Sequence, residues 1–341
     1  MPSFHSSRSP LGLVLAATVL LVSFACTRSP GSGHGGSSRE TADTKRGGVH
    51  ADSLAVGEEE REFRYFLPES RGDDARAVVI YLHGHGDNMR HILGRGLASS
   101  PSSVWMQVAE REGFVVLFPL GAKGPGWSGK TGWNDCRSDA KGNPNGDDIA
   151  FLRGLIDYAV TRLHGDRSRV YVTGMSNGGH MAMRAAMEMS AEIAAVAPVA
   201  ALLPRVSQCS PPSQPVSILM LHGTEDPIAP YAGGPMAGGR GEVLSARATM
   251  DTWIRWNGLD DTPETETLLP DQDTRDGSRV LVHARELSPG GVAVVAYELQ
   301  GAGHTEPSRS QKLGRLLQGI QGKQNHDIEM AEVIWGFFRE R

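Results

Sequence analysis

Short apolar runs separated by amphipathic stretches recur along this chain from about residue 60 onwards. The β-type runs fall at 63–67, 77–82, 114–118, 170–173, 193–199, 216–221 and 292–299, and most are continuous rather than alternating. Strands without a polar alternate are what a parallel sheet covered on both faces requires. Helical patterns lie between them at 104–112, 149–163, 179–189, 246–256 and 327–338. In the second of these, Ile149, Leu152, Ile156, Ala159, Val160 and Leu163 share one helical face, and Asp147 and Asp148 stand at the start, where the helix dipole favours acids. The alternation predicts an α/β fold, a doubly wound and mostly parallel sheet, in a single domain over 56–341. Two stretches rich in Gly, Asp, Thr and Pro, 121–145 and 259–279, break the pattern and read as long loops.

Ahead of the pattern, His5 and Arg8 lead an apolar run at 11–25. The run is shorter than the about 20 residues a bilayer span takes, so 1–25 reads as an export signal. It ends Ser23-Phe24-Ala25-Cys26, with a small residue before cysteine as at a bacterial lipoprotein cleavage box. That predicts a mature chain lipid-anchored through Cys26; a plainly secreted chain is the alternative. Residues 26–55, mostly Gly, Ser, Arg, Thr and His, read as a flexible tether. The 341 residues are 39% hydrophobic and carry a net charge of −5 with no Lys/Arg run. This composition supports a real core and gives no electrostatic footprint for nucleic acid, and the N-terminal anchor is the only membrane link it predicts. With Cys26 taken by the anchor, Cys136 and Cys209 remain in an oxidising compartment, as a disulfide or as two buried thiols.

Candidate chemistry sits at the ends of the predicted strands. Gly174-Met175-Ser176-Asn177-Gly178 lies between the run ending at Thr173 and the helix beginning near Gly179. A chain that leaves a strand and starts a helix within about one residue turns sharply. Such a turn lifts Ser176 Oγ above the sheet edge and aims the Asn177 amide at a developing anion. The flanking glycines are expected to permit it. Alone the pentapeptide is a weak signal, because chance can supply it in a chain with 42 glycines. Its weight comes from two partners in the order a serine nucleophile needs, a carboxylate and then a histidine, each in a loop after a strand. The run 216–221 opens into His222-Gly223-Thr224-Glu225-Asp226-Pro227, and the run 292–299 leads to Gly301-Ala302-Gly303-His304. Asp226 is preferred to its neighbour Glu225 because Pro227 fixes the turn after it. In this reading His304 takes the Ser176 proton and Asp226 holds the imidazole tautomer. After an early strand, Leu82-His83-Gly84-His85-Gly86-Asp87 offers the His85 amide as a second oxyanion donor, with His83 as a loop organiser. His83, His85 and Asp87 have no further ligand set at zinc-type spacing, so no metal is predicted.

Taken in order, the words L-H-G at 82–84, G-W-N at 132–134, D-D-I-A-F-L at 147–152, R-V-Y-V-T-G-M-S-N-G-G at 169–179, H-G-T-E-D-P-I-A-P-Y at 222–231 and G-A-G-H-T at 301–305 resemble a known group. It is the group of extracellular polyhydroxybutyrate depolymerases and feruloyl or acetylxylan esterases. The resemblance implies an α/β-hydrolase fold, no cofactor, and hydrolysis of short-chain acyl or hydroxyacyl esters, some of them polymeric, by Ser176, Asp226 and His304. It also implies that Cys136 lies near the site and is bridged to Cys209. Trp127 and Trp133 are candidate walls of the substrate pocket. Glu306 stands close after the His304-Thr305 pair, where the family commonly carries tryptophan, and a carboxylate there argues against a bulky aromatic acyl group. The same triad would serve a peptidase or an acyltransferase on this fold. A non-catalytic polysaccharide-binding envelope protein would have no use for all three residues.

Overall fold

The continuous apolar runs become the middle of a ten-stranded sheet in the computed structural model, which describes residues 47–69, 74–125 and 129–341. The export signal, Cys26, most of the tether and Trp127 lie outside the described residues. In chain order the strands are β1 (Gly48–Val56), β2 (Glu59–Leu67), β3 (Arg76–Leu82), β4 (Val115–Pro119), β5 (Gly165–Met175), β6 (Ala195–Val199), β7 (Ser217–Gly223), β8 (Thr265–Leu268), β9 (Arg279–Glu286) and β10 (Ala293–Gln300). Across the sheet they run β1-β2-β4-β3-β5-β6-β7-β10-β9-β8. The inner strands from β4 to β10 are parallel, and the edges are closed by antiparallel pairs. The helices that matter here are α1 (Val104–Glu112), α2 (Asp148–Arg162), α3 (Asn177–Glu188), α4 (Ala246–Trp256), α5 (Arg315–Gln321) and α6 (Met330–Phe338).

Alternation along β3 divides the interior into two cores. Val78, Ile80 and Leu82 join Leu152 and Leu155 of α2 and Met181 of α3 on one face of the sheet. Ala77, Val79 and Tyr81 join Trp105 of α1 and Ile334 and Phe338 of α6 on the other. Fully burying one such side chain contributes roughly 1.5–3 kcal/mol, so the doubly wound layering follows from strands with no polar alternate to leave in water. Among the described residues, no helix is long and apolar enough to cross a membrane.

The edges depart from the sequence reading. The tether expected up to residue 55 gives way at Gly48 to β1, which pairs antiparallel with β2 along its whole length through a turn at Gly57 and Glu58. An edge strand needs few apolar anchors, and Leu54, Val56 and Val49 suffice here. The stretch 259–279 likewise contains β8, whose four residues are all exposed, paired with the half-buried β9. Helix α5 buries no residue and so leaves no amphipathic trace.

The feature that matters most for function is the closeness of α3 to β3. A Cβ on Gly174 would lie 2.4 Å from the Leu82 carbonyl oxygen, and one on Gly178 only 2.0 Å from the same atom. Gly178→Ala is therefore expected to cost about 3 kcal/mol or more through overpacking. Gly319→Ala, where a Cβ meets nothing within 4 Å inside α5, should instead stabilise by roughly 0.5–1 kcal/mol. Denaturant unfolding of the two variants checks both signs.

Candidate active site

Strand β5 ends at Met175 and α3 begins at Asn177, so Ser176 alone makes the turn, at φ 54° and ψ −117°. A non-glycine residue held there costs of order 1–3 kcal/mol and persists only where its surroundings fix it. Here the Ser176 amide donates to the Val199 carbonyl at 2.8 Å. The Ser176 carbonyl accepts from the His180 amide and from His180 Nδ1, both at 2.9 Å. Burial pushes the His180 pKa down to about 3, so its ring is a neutral donor at that carbonyl. The sequence reading placed the conformational freedom on the flanking glycines; the structure corrects this. The left-handed residue is the serine itself, and Gly174, Gly178 and Gly179 are required because backbones and the Ala201 side chain crowd them.

The structure brings the three chain-ordered residues together. His304 Nε2 lies 2.8 Å from Ser176 Oγ, and His304 Nδ1 lies 2.7 Å from Asp226 Oδ2. The other carboxylate oxygen, Oδ1, accepts from the Ile228 and Ala229 amides at 2.7 and 2.8 Å. Burial pushes the Asp226 carboxyl up, but the hydrogen bond and charge of His304, with His222 and the Ala229 amide, hold it below the usual carboxylate range. An ionised Asp226 can only accept, so Nδ1 of His304 carries the proton and Nε2 is left to accept from the Ser176 hydroxyl. The loops after β7 and β10 interlock: the Glu225 amide donates to Ala302 O at 2.9 Å, and a Cβ on Gly223 would meet Ala302 O at 2.3 Å. Glu225 is exposed, and the carboxylate on His304 is that of Asp226.

The loop after β3 turns beside Ser176. A Cβ on Gly84 would lie 3.9 Å from Ser176 Cβ, and His85 lines the same cavity as Ser176. The Gly86 amide is engaged by Thr131 O at 2.7 Å and the Asp87 amide by Gly84 O at 3.2 Å. His83 organises the loop from beneath: its Nε2 accepts from the Gly121 amide at 2.9 Å while Nδ1 faces Gly84 O at 2.7 Å. Burial lowers its pKa, in keeping with a neutral ring in that tautomer.

Trp133 requires a correction. It is fully buried, donates from Nε1 to His83 O at 2.9 Å, and is not a wall of the cavity. It supports the loop after β3 from below. The surrounding stretch 121–145, expected as an irregular loop, holds a small antiparallel ribbon (Ala122–Lys123 with Thr131–Gly132) and is fastened to α3 by Asn177. That side chain accepts from the Trp133 amide at 2.7 Å and donates to Trp133 O at 3.1 Å and to Asp135 Oδ2 at 2.8 Å. Asp135 in turn forms a buried pair with Arg137 at 2.6 Å, and Arg137 donates onward to Arg240 O at 2.9 Å. Burial pushes the Asp135 carboxyl up, and the Arg137 charge and hydrogen bonds more than reverse this. A second buried pair, Arg61 with Asp148 at 2.8 Å, holds the Asn134 amide at 2.7 Å. Cys136 and Cys209 form a disulfide with Cα atoms 5.4 Å apart, tying this stretch to the segment after β6.

These groups enclose a cavity of about 330 Å³ lined by Ser176, His304, His85, Met175, Ile228 and Glu306 among others. Tyr81, Asp87, His91 and Arg240 also reach it, and none was singled out as a pocket residue from sequence. Tyr81 reads as core within an apolar strand, and Arg240 sits in a glycine-rich segment with no pattern of its own.

Residues 66–250 match a family model described as phospholipase/carboxylesterase. The chain is 29% identical over 244 residues to feruloyl esterase B of Piromyces equi, covering 69% of this chain and 40% of that protein. It is 32% identical over 171 residues to the bifunctional acetylxylan esterase/xylanase of Neocallimastix patriciarum, covering 50% of this chain and 22% of that protein. The chain thus spans less than half the length of these two relatives. Among solved structures, the acetyl xylan esterase from Aspergillus awamori superposes with a TM-score of 0.47 at 15% identity, over 76% of this chain and 95% of that one.

Because the Asp135–Arg137 pair is buried and hydrogen-bonded, Arg137→Met is expected to cost about 3–5 kcal/mol by leaving an unpaired carboxylate inside. Arg167→Ala, which removes the exposed partner of Asp157, should cost less than about 1 kcal/mol. Urea midpoints for the two variants measure the contrast.

Proposed function

This chain belongs to the phospholipase/carboxylesterase family, on an α/β-hydrolase fold, and on that footing we propose that it is an exported serine carboxylesterase acting on short-chain acyl or hydroxyacyl esters. The observation that carries the reading is the unbroken line Ser176 Oγ, His304, Asp226, at 2.8 and 2.7 Å, opening on a cavity. As Ser176 attacks an ester carbonyl, His304 Nε2 takes its proton and Asp226 stabilises the resulting imidazolium. The amides of Asn177 and His85 receive the oxyanion, and one such donor is worth roughly 10²–10³ in rate. Collapse expels the alcohol, protonated by His304, and leaves Ser176 acylated. Water activated by the same imidazole then releases the acid.

Support for a short acyl group comes from the modest volume of the cavity and from Glu306, a carboxyl in its wall where an aromatic group would otherwise stack. The esters in view are acetyl or hydroxybutyryl groups, free or in a polymer, and the chemistry needs no cofactor. Export is supported by the signal-like run at 11–25 and by the Cys136–Cys209 disulfide, since such bonds persist in oxidising compartments. Anchoring through Cys26 would hold the enzyme at the cell envelope.

Ser176→Ala is expected to lower kcat/KM for p-nitrophenyl acetate by about 10⁴-fold or more with circular dichroism unchanged. Across acetate, butyrate, 3-hydroxybutyrate oligomer and methyl ferulate, the wild type should favour the aliphatic esters. Unchanged turnover in the alanine variant would sink the assignment.

A further inference from the structure

Glu306 follows His304 by two residues and lines the catalytic cavity, yet it stands outside the proton relay. Its carboxyl accepts at Oε1 from the Tyr81 hydroxyl, near the end of β3, at 2.6 Å, and its backbone is held by Gln324 Nε2, which donates to the Glu306 main-chain carbonyl oxygen at 2.9 Å. Two more ionisable groups, Asp87 and His91, line the same cavity and pair with each other at 2.8 Å. The nearby Glu329 carboxylate, before α6, is occupied by the Ser308 and Ser310 hydroxyls and the Arg309 and Ser310 amides. Arg240 and His85 are the remaining basic groups of the lining besides His304.

We infer that Glu306 is a specificity-determining residue that sorts substrates by charge: esters carrying an ammonium group against the Tyr81–Glu306 wall are preferred to uncharged isosteres, and these to anionic ones. The inference rests on the esterase reading of Ser176 and adds a substrate class to it. The physical reason is that a carboxylate fixed in a half-enclosed cavity interacts through a lower effective dielectric than bulk water, so a charge in the bound ester is felt strongly.

The preference is itself pH-dependent. Burial, with the charges of Asp87 and Glu329, pushes the Glu306 carboxyl up to about 7, against the opposing Tyr81 hydrogen bond and His91 charge. The hydrogen bond and charge of Asp87 raise His91 above its ordinary value. Below about pH 6, Glu306 is protonated and His91, raised above its ordinary value, is an imidazolium. Above about pH 8, Glu306 is ionised, so this wall of the cavity carries at least one more negative charge than at pH 6. Burial and the charges of Arg240, Lys130 and Arg137 lower the pKa of His85, so its titration falls below that of Glu306.

The test measures kcat/KM at pH 6 and pH 8 for two pairs that differ only in trimethylammonium against tert-butyl. Choline acetate against 3,3-dimethylbutyl acetate places the charge in the alcohol. Ethyl betaine ester against ethyl 3,3-dimethylbutanoate places it in the acyl group. In the wild type the cation-to-neutral ratio should rise about tenfold between the two pH values for one of the pairs, and in Glu306→Gln the rise should shrink to about threefold or less. Tyr81→Phe, which removes a hydrogen bond favouring the carboxylate, should move the rise to higher pH. A flat wild-type ratio for both pairs, a full rise in Glu306→Gln, or an unmoved profile in Tyr81→Phe overturns the assignment of Glu306. Turnover of the neutral esters reports separately on the esterase reading, so the two can fail independently.

Discussion

The contact on which this site depends is backbone against backbone: α3 is pressed so closely on the end of β3 that Gly174 and Gly178 have no room for a Cβ beside the Leu82 carbonyl. With the helix seated there, the one residue between β5 and α3 has to complete the turn alone, and Ser176 takes the left-handed conformation. The same contact fixes where the chain goes after Leu82. The loop from His83 to Asp87 emerges beside Ser176, which is why the candidate nucleophile and the candidate oxyanion donors, from distant parts of the sequence, share one cavity.

Around this contact almost every buried charge has a specific partner. Asp226 is held by His304 and two amides, Asp135 by Arg137 and Asn177, and Asp148 by Arg61 and an amide. Each arrangement offsets a large desolvation cost with directed hydrogen bonds, and each has a positional effect. Asp226 sets the His304 tautomer, while the two arginine pairs fasten the 121–145 stretch under the loop after β3. Glu306 differs in kind. Its hydrogen-bond partner is a neutral phenol rather than a cation, and it lines the cavity.

The inner strands were legible because both of their faces are buried, and continuous apolar runs such as 77–82 have no other ready explanation. The order of Ser176, Asp226 and His304 was legible for a related reason: each follows such a strand, so the strand ends themselves marked the loops. Edge strands gave no comparable signal. The residues of β8 are all exposed, and β1, with only Val49, Leu54 and Val56 as bulky apolar residues, follows directly on a Gly- and Ser-rich stretch. Trp133 shows another limit, since an indole that walls a pocket and one that braces a loop have the same sequence signature. Tyr81, Asp87 and His91 meet Glu306 only through the fold, across more than 200 positions of chain in the case of Tyr81. The glycines of the pentapeptide were noticed for the wrong reason: crowding selects them, whereas the unusual dihedral belongs to the serine.

Reactivity of Ser176 is what most directly tests whether this strained turn presents an activated nucleophile. A fluorophosphonate, which phosphonylates only an activated serine, followed by intact-mass and peptide analysis of the folded protein, should give one adduct per chain, located on Ser176 and lost in His304→Ala. Folded protein that stays unlabelled, or that carries its label at another serine, would contradict the reading of Ser176, His304 and Asp226 as a working triad.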